Sequence, residues 1–567
     1  MIICNENSEA SLFFLFYYEI YRQLCYNVEN YNYLGDIMCG FLFMELSDLT
    51  EEDFKRNLEL IEHRGPDDQQ HVRDTLGNDF GFCRLSIMDL SDLGRQPFGL
   101  NGKRVMCNGE IYNFLNLRKF LGTKGYKFTG DSDCEVLLPL FETTGIETMV
   151  KMLDAEFAFV LVDENTAEIF AARDPFGIRP LFYGYNKVTG KICFSSEAKA
   201  LISTCNDVTP FPPGYYYANG EFHVFNDIAE VSTIVEEPLA EISGHIRRKL
   251  ERAVKKRLHA DAPMGYLLSG GLDSSLVCAI AAKELESPIK TFAIGMETDP
   301  IDLKYAREVA DFLRTDHTEI LMTKEDVLSS VREVIWHLET WDITTIRASI
   351  GMYLICKYIH EKTELKILMT GEVSDEMFGY KYTDFAPSAG AFQKEAQKRV
   401  HELYMYDVLR ADRCLAAHSL EARVPFADLD FAAYVMSINP SRKLNTYGKG
   451  KYLLRHAFEG TELLPDEILF REKAAFSDAV GHSMVDYLKE FADEKYSDED
   501  LAKASEKYPK HTPFTKESLM YREIFEEFYP GYEDWILDFW MPNRDWVGAE
   551  VTDPSARVLS NYGDSGK

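Results

Sequence analysis

The run Leu267-Leu268-Ser269-Gly270-Gly271-Leu272-Asp273-Ser274-Ser275 decides the fold of the second half of this chain. Residues 264–268 before it are short and apolar, and from Ser274 onward Leu276, Val277, Ile280, Ala281 and Leu285 follow at helical spacing. The glycine pair therefore lies between a strand end and a helix start. Such a turn lets backbone N–H groups approach an anion without a Cβ in the way, and the helix N-terminus adds its partial positive charge. Ser269, Ser274 and Ser275 add hydroxyl donors, and Asp273 can hold a divalent cation against the same phosphates. The pattern is not the lysine-bearing G-x-x-x-x-G-K-[ST] loop that grips β,γ-phosphates. The competing reading is a glycine-rich strand-to-helix connection with no ligand.

Working outward, strand-like and helical stretches alternate: strand 290–294, helix 303–313, strand 318–321 and, later, strand 365–370, with the rest mostly helical. That alternation predicts a doubly wound parallel sheet whose ligands bind at the carboxyl ends of its strands. Upstream, strand-like runs at 40–44, 80–88, 104–108 and 157–162 are separated by helical stretches at 51–62 and 134–141, which predicts stacked sheets flanked by helices. The polar connection 226–238 marks the boundary, and the basic stretch 247–257 reads as the solvated face of a helix with its apolar stripe on Ile246, Leu250, Val254 and Leu258. Residues 1–37 are crowded with Tyr, Phe, Asn and Ile without steady periodicity and are not expected to be a folded element. The polar segment 546–567 is expected to be a loosely ordered tail.

Composition narrows the function. The 567 residues suffice for roughly two to four domains. A net charge of −32 argues against a broad nucleic-acid footprint. Eleven cysteines, an odd number without a C-x-x-C pair, make neither a disulfide framework nor a zinc site. A reducing, cytoplasmic setting follows as the expectation. No apolar stretch reaches the roughly 18–20 residues that cross a bilayer, so no membrane partner is expected.

A second loop, Leu368-Met369-Thr370-Gly371-Glu372-Val373-Ser374-Asp375-Glu376, also follows an apolar strand-like run. Two strand-end loops can face one ligand, so that Asp273 and Asp375 share Mg²⁺ bridging ATP oxygens. Glu372 then stands near the α-phosphate, able to position an acceptor carboxylate or take a proton from an attacking amine. Lys473 can neutralise developing charge on phosphates or on a tetrahedral intermediate. The plain alternative for the second loop is an acidic surface segment.

If the second half makes an amide it needs a nitrogen source, and the first half offers a candidate at Met38-Cys39-Gly40. Cleavage after Met38 exposes Cys39 as residue one, with an α-amine of pKa about 7.7–8.0 as base for its own thiol. The Asn108 side-chain amide and the Gly109 N–H can form an oxyanion hole. Arg84 offers a planar fork for an α-carboxylate, and Glu110 and Asp133 offer anions for an α-ammonium.

Taken together, these residues resemble glutamine-dependent asparagine synthetases of the B type over nearly all of residues 38–557. The first half carries the resemblance at Cys39-Gly40-Phe41, His63-Arg64-Gly65-Pro66-Asp67, Arg84-Leu85-Ser86-Ile87, Asn108-Gly109-Glu110-Ile111-Tyr112-Asn113 and Arg173-Asp174-Pro175-Phe176-Gly177-Ile178-Arg179-Pro180-Leu181. In the second half it rests on the opening loop, which looks like the pyrophosphate loop of ATP pyrophosphatases, and on Asp342-Ile343-Thr344-Thr345-Ile346-Arg347-Ala348-Ser349, Glu421-Ala422-Arg423-Val424-Pro425-Phe426 and Tyr521-Arg522-Glu523-Ile524-Phe525-Glu526-Glu527. The resemblance implies an α/β chain: an N-terminal αββα glutaminase sandwich of the N-terminal-nucleophile type at 39–230, then a doubly wound ATP pyrophosphatase domain with a largely helical C-terminal part at 240–545. Its implied reaction makes L-asparagine from L-aspartate, L-glutamine and ATP through a β-aspartyl-AMP intermediate, with ammonia passing internally from Cys39. Implied glutamine contacts are Arg84, Leu85, Ser86, Ile87, Met88, Asn108, Gly109, Glu110 and Asp133. Implied ATP contacts are Leu267, Ile294, Thr370 and Gly371, with pyrophosphate on Ser269, Gly270, Gly271, Asp273, Ser274 and Ser275. Glu372 is implied in forming the intermediate, and a homodimer is plausible by family analogy.

The chain departs from the family pattern in places. Val373 and Ala556 stand where the family usually has Gly, a Gly pair after Phe378 is reduced to Gly379-Tyr380, and Ala474-Ala475 replaces the usual Glu-Gln. If Val373 requires φ > 0, a β-branched residue bears a steric penalty there. Altered kinetics or substrate contacts are expected rather than lost activity. Residues 1–37 leave two readings, a start at Met38 or a removed propeptide. Two other functions remain open at this point: a beta-lactam-type synthetase that closes a ring with an internal amine, and a glutaminase-only or non-catalytic homologue.

Overall fold

A computed structural model of the chain describes residues 39–298, 300–472 and 481–562. The expectations for residues 1–37, for Lys473 and for 563–567 lie outside the described residues.

The first half is built on two six-stranded antiparallel sheets. One runs Cys205–Pro210, Phe182–Asn186, Ile192–Ser195, Gly40–Met44, Asp79–Arg84, Asp68–Arg73, and the other Glu221–Val224, Tyr215–Ala218, Glu168–Arg173, Ala155–Asp163, Lys103–Ile111, Phe98–Leu100. Strand alternation explains the layering. Phe41, Phe43, Phe80 and Phe82 of the first sheet meet Met106, Ala158, Val160 and Val162 of the second in one buried cluster. The intervening Leu42 and Met44 belong instead to the cluster that contains Phe54 and Leu58 of the helix Glu51–Glu59. Helices therefore cover the outer faces, and the sandwich is αββα. Gly81 permits this, since a Cβ there would lie 2.8 Å from the Phe54 ring.

The second half holds a five-stranded parallel sheet in the order Asp316–Met322, Lys290–Met296, Met264–Leu267, Ile367–Met369, Glu421–Arg423. The chain builds outward from Met264–Leu267 in one direction, then returns and builds in the other. The order therefore reverses between Met264–Leu267 and Ile367–Met369, the place where open α/β sheets bind ligands. From the helix Asp407–Ala416 onward the chain is mostly helical.

Several boundaries differ from the sequence expectation. The helix after the glycine pair begins at Leu272, two residues before Ser274. The strand expected over 80–88 ends at Arg84, freeing Leu85 to Met88 for the first-half site. The 134–141 stretch divides into a tight turn of helix at Asp133–Val136 and an α-helix at Leu137–Thr144. The basic helix Leu239–Lys256 buries Ile246, Leu250 and Val254 of its predicted stripe, but Leu258 lies beyond the helix and is partly buried, and Arg257 at the helix end is 2% exposed and pairs with Glu156 at 2.9 Å. Residues 546–562 are packed rather than loose. Trp546, Ala549 and Leu559 are buried, and Asp553 pairs with Arg347 at 2.9 Å.

Candidate active sites

In the second half, both loops open into one cleft. Leu267, Ser269, Gly271, Asp273, Ser274 and Ile294 line it from one side of the sheet-order reversal, and Thr370, Gly371, Glu372 and Asp375 from the other. Gly270 takes φ +69°, and a Cβ there would meet the Ala306 backbone at 2.5 Å, so this turn closes only with glycine. Gly371 brings the loops together: its Cβ position lies 2.8 Å from the Ser274 N. Ser274 Oγ is 3.0 Å from Ser269 Oγ, and Ser374 donates to Asp273 at 2.8 Å. Ser275 and Thr370 keep buried hydroxyl oxygens without a hydrogen-bond partner. Gly270 and Ser275 do not themselves line the cleft; they shape the turn behind it.

The expected cation position holds an amine. Lys451 Nζ lies 2.8 Å from Asp273 Oδ2 and 2.6 Å from Asp375 Oδ1, with Ser374 Oγ at 3.0 Å. The two carboxylates thus converge on one point, an oxygen pair suited to a hard divalent ion beside phosphate. Lys451 was not singled out from sequence, because it lies 178 residues from Asp273 and carries no local motif. Arg410 and Asp407 were missed for the same reason. Arg410 holds Glu372 at 2.5 Å and Asp407 at 3.0 Å. Burial, with Asp407 and Asp375 nearby, pushes the Glu376 carboxyl well above the usual carboxylate range. Val373 is in the left-handed region at φ 79°, 2% exposed, so the conditional steric penalty applies.

In the first half, the Cys39 thiol accepts a hydrogen bond from the Leu85 N–H at 3.2 Å. Burial pushes that thiol up to about 12, so at neutral pH it requires a base before it can attack. Arg84 is 5% exposed and donates to the Asp89 carbonyl. The Ser86 N–H donates to Asp67 at 2.8 Å, while Leu85, Ile87 and Met88 are buried. Asn108 is 1% exposed, and neither its amide nitrogen nor its oxygen has a hydrogen-bond partner. A buried, unmatched amide of this kind awaits a polar ligand. Gly109 is required beside it, since a Cβ would meet the Glu156 carbonyl at 2.3 Å. Asp133 accepts from the Ile111 N–H at 2.7 Å, and burial raises it to about 6. The Glu110 carboxylate is turned the other way, to Arg423 at 3.0 Å in the second half, which leaves Asp133 as the better placed anion for an ammonium.

The interface between the halves carries buried charge pairs. Arg179, Arg257 and Arg423 are at most 2% exposed and pair with Glu156, Glu421 and Glu110. Among the described residues no helix is long and apolar enough to cross a membrane.

Both halves of the chain are similar to known proteins. A family model described as asparagine synthase matches residues 245–390 and 384–550, and one described as a glutamine amidotransferase domain matches 38–225. The chain is 42% identical to the glutamine-hydrolyzing asparagine synthetase of Gallus gallus over 547 residues, covering 88% of this chain and 95% of that protein. The corresponding protein of Mus musculus is 40% identical over 547 residues, covering 89% and 96%. That of Homo sapiens is 41% identical over 542 residues, covering 88% and 95%.

Proposed function

The chain belongs to the glutamine-hydrolysing asparagine synthetase family, and from that premise we propose how its own residues divide the work. The protein is a ligase that uses ATP and glutamine to convert L-aspartate to L-asparagine, yielding L-glutamate, AMP and diphosphate. The reading of its sites is carried by the meeting of the Ser269 and Thr370 loops at the strand-order reversal, in a chain whose other half holds a half-buried cysteine and a buried, unmatched asparagine amide.

A carboxylate is a poor electrophile, so activation precedes amine attack. The aspartate side-chain carboxylate attacks the α-phosphorus of ATP, the bond to the β-phosphate oxygen breaks, and diphosphate leaves onto the Ser269 to Ser275 turn. Backbone N–H groups and the Lys451 ammonium offset its charge. Asp273 and Asp375 would hold Mg²⁺, which supplies a hard cation against the phosphate oxygens. Glu372, held by Arg410, orients the acceptor carboxylate and takes a proton from the incoming amine.

In the first half, Arg84 takes the glutamine α-carboxylate and Asp133 its α-ammonium. Cys39 attacks the side-chain amide, with its own α-amine as base once Cys39 is the N-terminal residue. Asn108 and the Gly109 N–H stabilise the oxyanion, ammonia departs, and water releases glutamate. Ammonia then displaces AMP from the β-aspartyl intermediate. We assign the working domains to 39–230 and 240–545, the setting to the cytoplasm, and the assembly to a homodimer.

The test is incubation of protein beginning at Cys39 with aspartate, glutamine and Mg·ATP. Asparagine formed with AMP and diphosphate is the expected result. Glutamate alone would leave only a glutaminase, and AMP without asparagine would point to another acceptor.

A further inference from the structure

We propose that the segment 553–561 is the wall that sizes the acceptor end of the synthetase cleft, with Leu559 as the residue that admits aspartate and rejects glutamate, one methylene longer. This rests on the roles proposed above for Glu372 and the Ser269 to Ser275 turn. A stretch that reads as a loose tail in the sequence thereby takes a direct part in choosing the substrate.

The segment is pinned at both ends. Asp553 pairs with Arg347 of the helix Ile343–Lys362 at 2.9 Å and with Lys489 of the helix His482–Lys495 at 2.7 Å, and it accepts the Ser555 N–H at 2.8 Å. Against the cost of burial, Arg347 and Lys489 hold the Asp553 carboxyl below the usual carboxylate range, so this pin stays ionised at neutral pH. At the far end the Asn561 side-chain amide donates to the Lys381 carbonyl at 2.7 Å, and Lys381 Nζ donates back to the Asn561 carbonyl at 3.2 Å. Between the pins Arg557 reaches Asp486 at 3.2 Å. With its backbone fixed in this way, the segment lines the cleft with Pro554, Ser555 and Leu559.

Leu559 stands at the acceptor end. It is buried in a cluster with Tyr382, and Tyr380 and Trp540 pack around the pair. The Tyr382 and Trp540 rings meet edge to face at 5.0 Å, so the wall behind Leu559 is aromatic and close-packed. Burial chiefly pushes the Tyr382 phenol well above its ordinary value; Arg399 opposes that shift, and the Glu376, Asp375 and Asp407 carboxylates add to it. Asp407 in turn shares Arg410 with Glu372, at 3.0 Å and 2.5 Å. The apolar wall and the carboxylate proposed to orient the acceptor thus belong to one end of the cleft. An acceptor whose reacting carboxylate is fixed at the α-phosphorus extends its remaining atoms toward this wall. One further methylene drives them into Leu559, and a close-packed wall gives way only by displacing its neighbours. Sizing of this kind is worth about 10–200-fold per methylene.

The experiment supplies ammonia as the nitrogen donor, so that no glutamate arises from glutamine, and measures diphosphate release and amide product with aspartate or glutamate as acceptor. It compares the unmodified full chain with Leu559→Ala and Leu559→Phe. Leu559→Ala is expected to lower the aspartate-to-glutamate ratio of kcat/KM about tenfold or more, with the side-chain amide of glutamate appearing as product. Leu559→Phe is expected to lower kcat/KM for aspartate about fivefold or more without admitting glutamate. KM for ATP should stay within about twofold of the original in both variants, because the nucleotide contacts are untouched. A merely structural leucine would let both variants lose activity toward both acceptors in parallel, and that unchanged ratio overturns the assignment. If Leu559→Ala does not fold, Leu559→Val decides by a fall of about threefold in the same ratio, and no fall overturns the assignment. An unmodified protein that releases no diphosphate with aspartate overturns the reading of the cleft and the wall with it, whereas intact aspartate activity with an unaltered ratio in the variants overturns the wall alone.

Discussion

The Lys451 ammonium lies 2.6 Å from the Asp375 carboxylate, at the point where the sequence led to the expectation of a divalent cation. It bonds Asp273 there as well, at 2.8 Å. A lysine between two carboxylates at the end of a phosphate-binding turn offsets their mutual repulsion and stands beside the proposed diphosphate position. Replacing it removes charge from the site of diphosphate departure. Lys451→Met is expected to slow aspartate-dependent diphosphate release by about 10²–10³-fold while glutamate release without ATP stays near its original rate. A parallel loss of both activities in the folded variant would overturn this role.

Asn108 makes the complementary prediction for the first half. Its amide is buried and unmatched, so its hydrogen-bonding capacity is reserved for a ligand. Asn108→Ala should lower kcat for glutamine hydrolysis by about 10²–10³-fold and leave ammonia-dependent synthesis close to unchanged. Because the wild-type amide has no protein partner, the change strands no other buried group. The expected melting temperature is therefore close to the original, and a large drop would count against the assignment.

Asp133 gives a pH dependence. Burial raises it to about 6, above the ordinary carboxylate value. An ionised Asp133 pairs with the glutamine ammonium and a protonated one does not. KM for glutamine is therefore expected to rise as pH falls through about 6 and to level off above it, while KM for ammonia-dependent synthesis shows no such step. For stability the sign is opposite: a raised acid makes its ionised form a cost to the fold above that pH, and the cost is relieved below it. Asp133→Asn should abolish the step in glutamine KM. Persistence of the step in that variant would assign it to another group.

The parts of the structure that were legible in sequence are those written locally. Gly270 at φ +69° between an apolar strand and a helix carries its own reason for being there, so the turn and its place in the sheet were readable from nine consecutive residues. Phe41 and Phe43 alternate, and their inward packing follows. Other features are fixed only by folding. Lys451 reaches Asp273 across 178 residues, and Arg64 reaches Asp412 across 348. Glu110 read as a ligand anion because nothing near it in sequence announces Arg423. The 546–562 segment looked loose because its polarity hides three anchors: Trp546, Leu559 and the Asp553 pair with Arg347.

Val373 is a departure that the backbone makes informative. It sits at φ 79° and ψ −13°, conformational territory that costs a residue with a Cβ roughly 1–2 kcal/mol. Its side chain is 2% exposed in the cluster that includes Met369, Met377 and Phe378, and burial of that size returns roughly 1.5–3 kcal/mol. The two terms nearly offset each other, which explains how a β-branched residue is tolerated beside Glu372. Val373→Gly removes both terms and is expected to change unfolding free energy by no more than about 1 kcal/mol. Val373→Ala keeps the strain and gives up most of the packing, so it should be the less stable of the two by about 1 kcal/mol. Chemical denaturation of the three proteins measures the order. An alanine variant more stable than the glycine variant would mean that residue 373 does not hold a left-handed backbone, and the case for a strained loop under Glu372 would fall with it.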